Sequence, residues 1–215
     1  MDQYLYLDET GTLDFVERPG ERYFGVGSAH WRGPHGDALW AGHQLRLELE
    51  AAGIHLPKGL HAKNDSAVTR AQVFSLIASQ VPRLDVTMLY KARADQQIRI
   101  AGKARLYKLA VWLHLTHTLE HVSSPGDRVF LVVGQLQTAG HRDAIRHAVA
   151  DAATKLTHDR TLVPCIWDAP TAWGIQAADY ALWRTQREFE GKAIPGYAQA
   201  IDECFGGRYT PWGRA

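Results

Sequence analysis

The sequence predicts an α/β domain built on a mixed β-sheet with helices on both faces. Two strand-like segments open the chain as a hairpin, helical and strand-like patterns alternate after it, and no segment has the composition of an interdomain linker. At 215 residues the chain reads as one domain, 1–215, with helical insertions.

The elements follow in order. Residues 3–8 read as a strand from their aromatic content, and Glu9-Thr10-Gly11-Thr12 as the turn after it. Residues 22–31 form the second strand, whose glycines point to close backbone approach or a bulge. Residues 35–52 are helical, with Gly53 as the stop. The segment 54–63 is irregular. Asp65 or Ser66 caps a helix over 66–80, with Val73, Phe74 and Ile77 as its apolar stripe. Residues 84–91 alternate as a strand. A helical stretch over 94–121 breaks near Gly102, and Ser123–Asp127 is a turn. Val129–Val133 suits a buried strand. Residues 140–157 are helix, 161–167 strand and 172–190 helix, and the tail carries a short helix near 197–204 and a Gly-Gly turn.

Composition narrows the function classes. Lys and Arg number 24 and Asp and Glu 23, giving a formal charge of +1. That excludes a nucleic-acid binder working through bulk charge, but not one with a local basic groove. Cys165 and Cys204 are too few and too distant for a disulfide framework or a zinc knuckle, which points to a reducing compartment. The start, Met1-Asp2-Gln3-Tyr4, lacks the features of a secretory signal, and no apolar run approaches the roughly 18 residues of a membrane span. The expected location is cytoplasmic, with no membrane partner; a homodimer is compatible with the sequence.

Two features carry chemistry. Asp8 ends an otherwise apolar strand, where a carboxylate is costly unless paired or metal-bound. The simpler role is to cap the turn. In the helix Trp173–Trp183, Gln176, Asp179, Tyr180, Trp183 and Arg187 share one face, while Ile175, Ala178 and Leu182 form an adjoining stripe. A helix apolar nearly all round is usually buried, so Asp179 needs a cation, a metal or several donors. Arg187 or a backbone amide would satisfy it structurally.

Together these features resemble the bacterial family catalogued as domain of unknown function 3800. Its members open with an apolar strand ending Asp-Glu-Ser-Gly, similar to Tyr4-Leu5-Tyr6-Leu7-Asp8-Glu9-Thr10-Gly11 here with Thr for Ser. They end with a helix carrying Gln-x-x-Asp, matched by Gln176 and Asp179. His61-Ala62-Lys63 and Arg70 resemble a His-containing segment between the two. The likeness spans about residues 4–190. It implies a ribonuclease H-like domain and a nuclease, or related phosphoryl-transfer enzyme, using Mg²⁺ or Mn²⁺ on nucleic acid, either RNA or DNA. Asp8 and Asp179 would be metal ligands, with Glu9 or Asp168 as a third. His61 would move a proton or touch phosphate, Gln176 would orient Asp179 or the attacking water, and Lys63 and Arg70 would hold the phosphate backbone. The residue types suit the metal, since Mg²⁺ prefers carboxylate and water oxygens.

The sequence departs from that pattern at the strand 129–133. It continues Gly134-Gln135-Leu136-Gln137 with no acid, and Gln135 offers only a neutral oxygen. Glu9, Asp65 and Asp168 are candidate substitutes, although Asp168 reads more readily as a helix cap, with Pro170 early in the helix that follows. Either the site binds metal through fewer acids, or the domain is an inactive module that binds nucleic acid or a protein. A metal-free hydrolase using Asp8 and Glu9 as acid and base is a third reading. It is hampered because neighbouring strand residues face opposite ways.

Two lesser constellations complete the reading. His117 and His121 lie at i and i+4 beside His114, a spacing that suits a polar helix face as well as a metal. Lys91, Arg93, Arg99, Lys103, Arg105 and Lys108, with Tyr90 and Tyr107 interleaved, suit a nucleic-acid groove or a solvated helix face. The seven Trp residues default to the core.

Overall fold

The structure is a computed structural model, described for residues 1–16, 18, 21–134, 139–156 and 160–214. Six strands form one sheet: β1 (Asp2–Thr10), β2 (Tyr23–His30), β3 (Arg83–Tyr90), β4 (Arg128–Gly134), β5 (Thr161–Trp167) and β6 (Phe205–Tyr209), in the order β5-β4-β1-β2-β3-β6. β1, β2 and β3 are antiparallel neighbours, and β4 and β5 run parallel to β1. The carboxyl ends of β1, β4 and β5 therefore share one edge of the sheet, where sites collect in α/β proteins.

The helices are α1 (Gly36–Ala51), α2 (Ala67–Gln80), α3 (Gln96–Ala101), α4 (Lys103–Val122), α5 (Ala139–Leu156) and α6 (Trp173–Phe189). Strand alternation divides the core in two. Tyr6, Ala29, Val86, Met88 and Val132 pack with α1, α2 and α6; Leu5, Leu7, Val26, Leu131 and Val133 pack with α4 and α5 on the other face. Ser66 caps α2 by accepting from the Thr69 amide, and Asp95 caps α3 by accepting from Ile98. Gly102, at φ +78°, separates α3 from α4 as expected.

α6 reaches the sheet through glycine. A Cβ on Gly174 would sit 2.2 Å from the Tyr6 ring, and one on Gly27 would sit 2.6 Å from Leu182. These close approaches bring the carboxylate-bearing helix down onto β1 and β2.

Two local expectations are corrected. β1 does not turn after Asp8 but pairs with β2 as far as Thr10 opposite Gly25, so the turn begins at Gly11, φ +89°. The tail's Gly-Gly pair is not a turn but the middle of β6, which pairs parallel with β3. Glycine is used there for contact: Gly206 lies under the Arg83 guanidinium and Gly207 against the His117 ring. Among the described residues no helix is long and apolar enough to cross a membrane.

Candidate active site

At the carboxyl edge a cleft of about 220 Å³ is lined by Asp8 and Glu9 of β1, Gly134 of β4, Gln176 and Asp179 of α6, and Lys58 and His61 of the loop before α2. Asp8 projects on the α6 side because it follows Tyr4 and Tyr6 in strand alternation. Glu9, on the opposite phase, also borders a small apolar cavity beside Tyr107 and Val111 of α4. The reorienting turn needed for a simple Asp8–Glu9 acid–base pair is absent, since both residues lie within the strand.

Asp179 is held by the loop. Its Oδ2 accepts from the Ala62 backbone amide at 2.7 Å and from His61 Nδ1 at 3.0 Å. Arg187, the structural partner considered from sequence, donates instead to the Ala193 carbonyl and lies 5.0 Å from the Trp183 ring. The loop is itself braced. Asp65 Oδ2 accepts from the His61 amide at 2.8 Å and from the Tyr180 hydroxyl. Arg70 donates to the Ala62 and Asp65 carbonyls at 3.0 and 2.5 Å and to the Tyr197 hydroxyl at 3.1 Å.

The electrostatics follow from crowding. Burial, and then the charges of Glu9 and Asp179, push Asp8 well above the ordinary carboxylate range. Burial and Asp179 push Glu9 up to about 8. His61 is raised, chiefly by its hydrogen bond to Asp179. Asp65 is raised by burial, although its donors pull the other way.

The donor set limits which metal the cleft could hold. Among the described residues no three His, Cys, Asp or Glu side chains converge tightly enough to enclose an ion. A structural zinc site, closed by four protein ligands, therefore has no counterpart among the described residues. An ion held by one or two carboxylates, keeping water and substrate oxygens in its remaining positions, does fit, and Mg²⁺ and Mn²⁺ bind in that way. Asp179 takes both protein hydrogen bonds on Oδ2, so Oδ1 is its oxygen available to a cation.

Other sequence-derived candidates lie differently. Asp168 is exposed, makes no capping hydrogen bond and does not line the cleft. Gln176 lines it, but its amide nitrogen donates to the Ala169 and Pro170 carbonyls at 3.2 and 3.0 Å, so it fixes the segment after β5 rather than Asp179. Arg70 is spent on the loop. Lys63 is exposed one residue past Ala62. Gln135 lies outside the described residues.

The basic run does not form a groove. Lys91 is fully buried and donates to the Thr12 carbonyl and hydroxyl at 3.2 and 3.0 Å, pinning the segment after β1. Arg99 bonds to the carbonyls of Lys91, Ala92 and Ala94, and Arg93 to that of Trp212. Lys108 pairs with Asp151 at 3.3 Å, and Tyr107 is buried. Lys103 and Arg105 remain exposed on the first turn of α4. Of the histidines, His114 is buried between Ser28 and Thr87, and His117 stacks on Tyr209 at 4.8 Å. Lys58 lines the cleft and was missed from sequence, where it is one polar residue in an irregular loop.

No family model and no curated protein matches the chain, so the likeness to the domain of unknown function 3800 family rests on the sequence motifs. Among solved structures the chain is similar to the crystal structure of the ribonuclease H2 from Pyrococcus horikoshii OT3. The TM-score is 0.50 with 11% identity, covering 86% of this chain and 72% of that one. This shows a ribonuclease H-like fold.

Proposed function

We propose that the protein is a divalent-metal-dependent nuclease, or a related phosphoryl-transfer enzyme, acting on nucleic acid. The observation that carries this reading is the meeting of Asp8, Glu9 and Asp179 on one cleft, where their mutual repulsion and burial raise Asp8 and Glu9. Acids kept in such an unfavourable arrangement are what a cation site requires.

Asp8 and Asp179 would hold Mg²⁺ or Mn²⁺, with Glu9 adding negative charge. The metal, when bound, supplies charge neutralisation for a phosphodiester displacement. His61 keeps Asp179 oriented from Nδ1 and presents Nε2 for proton transfer or phosphate contact. Lys58 places positive charge on the cleft wall, where a phosphate would be drawn in. Lys63, Lys103 and Arg105 are the exposed cations for the rest of the backbone. Asp168 serves as a ligand only if the segment after β5 turns it inward. The free thiols Cys165 and Cys204 suit a reducing, cytoplasmic setting.

A second reading, a non-catalytic module on the same fold, is favoured by one observation. β4 ends beside Asp8 in Gly134, not an acid, and a Cβ there would lie 3.4 Å from Asp8 Oδ1. The two readings separate cleanly. Labelled RNA, DNA and RNA–DNA hybrid are incubated with pure protein and Mg²⁺ or Mn²⁺, and with Asp8→Asn and Asp179→Asn. The enzyme reading expects cleavage lost by about a thousandfold or more in each variant. Absence of cleavage, or cleavage indifferent to both substitutions, rejects it.

A further inference from the structure

On the face of the sheet that carries Asp8, the β4–β5 side forms a second, shallower cavity of about 600 Å³. Its floor is aromatic. Tyr4 and Phe130 stack at 5.1 Å with planes 10° apart, and Trp167 closes the end nearest the cleft. Tyr4 is 37% and Trp167 49% exposed, although both belong to residue types that proteins usually cover. Cys165, Leu39 and His35 are among the residues of its wall.

Register ties this surface to the carboxylates. Trp167 pairs with Gly134 across β4–β5, and Gly134 is one step past the Leu7–Val133 pair, beside Asp8. Trp167, Gly134 and Asp8 thus occupy one row across three strands, with neighbouring strands about 4.8 Å apart. Gly134 is covered on this face by Ile175 and Ala169, whose side chains would lie 3.3 and 3.5 Å from a Cβ placed there, so the platform meets the cleft around the carboxyl edge of the sheet and not across Gly134. Arg128 lies over Phe130 at 4.9 Å, paired with Asp2 at the far rim.

We propose that this aromatic face is a stacking platform for unpaired nucleobases flanking the scissile phosphate, so that the substrate class is single-stranded nucleic acid. The inference rests on the nuclease reading for the position of the phosphate. Partly exposed rings accept any base by its π-face, and Trp167 stands two strands from Asp8 in the same row, so bases flanking a phosphate at the carboxylates would reach it around the carboxyl edge of the sheet. A base paired in a duplex keeps its faces against its stacked neighbours and cannot use them.

The test is binding, measured without turnover. Fluorescein-labelled 12-mers of single-stranded RNA and DNA are titrated by anisotropy in EDTA, each with and without abasic residues at successive positions. The same strands are also tested as duplex. The expected result is tighter binding of single strands than of duplex, and about five- to hundredfold weaker binding when one particular base is removed. Trp167→Leu should abolish that abasic penalty, whereas Trp167→Phe should keep most of it. Because Trp167 is half exposed, both variants should melt like the parent, and Tyr4→Leu gives an independent second probe. Equal binding of abasic and intact strands, preference for duplex, or a penalty that survives both Leu variants overturns the proposal. Loss of the platform leaves Asp8-dependent cleavage of duplex or hybrid intact, whereas failure of the nuclease reading removes cleavage of every substrate.

Discussion

His61 Nδ1 lies 3.0 Å from Asp179 Oδ2, and this contact fixes the tautomer of the ring. An ionised carboxylate only accepts, so Nδ1 carries the hydrogen and Nε2 is the atom left for chemistry. The two nitrogens can therefore be separated by mutation. Asn at position 61 can still donate to Asp179 from near the Nδ1 position but offers nothing at Nε2. His61→Asn should keep Mn²⁺ affinity within about threefold by calorimetry and lose about a hundredfold in kcat. His61→Ala should lose both. Equal loss of metal affinity in the two variants would refute the division of labour.

The same contact has a pH signature. Asp179 raises His61 above its ordinary value, so charging the ring stabilises the fold below pH about 6.5, and that gain disappears as pH rises through the folded value. In an NMR titration the His61 ring should titrate higher than an unperturbed histidine and fall back in Asp179→Asn.

Lys58 is expected to act on binding. It lies on the cleft wall, and its charge opposes protonation of His61. Lys58→Ala should raise KM about tenfold with kcat within about threefold of the parent. It should also reduce the slope of log affinity against log salt by about one. Lys58→Arg should recover most of the affinity. A loss confined to kcat would place Lys58 in the chemistry instead.

Arg70 acts through the loop and not through substrate. Its guanidinium joins Ala62, Asp65 and Tyr197 while lying 5.0 Å from the Trp183 ring, a geometry that lysine cannot reproduce. Arg70→Ala should destabilise the fold by about 2 kcal/mol, lowering Tm by about 4–8 °C. Arg70→Lys should recover little. Hydrogen exchange should speed up at Ala62 and Asp65, whose backbone positions depend on it. An unchanged loop with weakened substrate binding would return Arg70 to the phosphate-binding role expected from sequence.

What could be read from sequence was whatever announces itself locally. Asp8 is conspicuous because an acid closes an apolar run, and Asp179 because it sits on a helix with little other polarity. The five large helices and the first five strands also follow from local patterning. What could not be read depends on where the chain returns. Lys91 looks like the start of a basic groove until the short helix after β3 folds it beneath Thr12. Gly206 and Gly207 look like a turn until β3 is known to run beside them. Gln176 looks like a partner for Asp179, one turn away, but its amide finds the carbonyls after β5 first. For Lys91 and the two glycines a tertiary contact at long sequence separation overrides a correct local reading, whereas for Gln176 the competing acceptors lie only six and seven residues back in the chain.

His114 of α4 is wholly buried, its ring placed between Ser28 Oγ at 2.9 Å and Thr87 Oγ1 at 3.1 Å. Burial first, and then the charge of His117, push it down to about 3. The folded protein therefore refuses a proton that the unfolded chain accepts near pH 6.5, so stability is fully present above that value and is lost as pH falls. Between pH 7 and pH 5 this group alone should cost the fold about 2 kcal/mol. His30, pushed down to about 4, adds loss of the same sign. His114→Gln keeps a polar group between the two hydroxyls and removes the titration. Urea unfolding at pH 7 should show it less stable than the parent by about 1–3 kcal/mol, since glutamine matches the two hydroxyls imperfectly. The decline from pH 7 to pH 5 should nonetheless be shallower by about 2 kcal/mol. An identical decline in parent and variant would mean that water reaches His114, and that the contact between α4 and the sheet is looser than this packing describes.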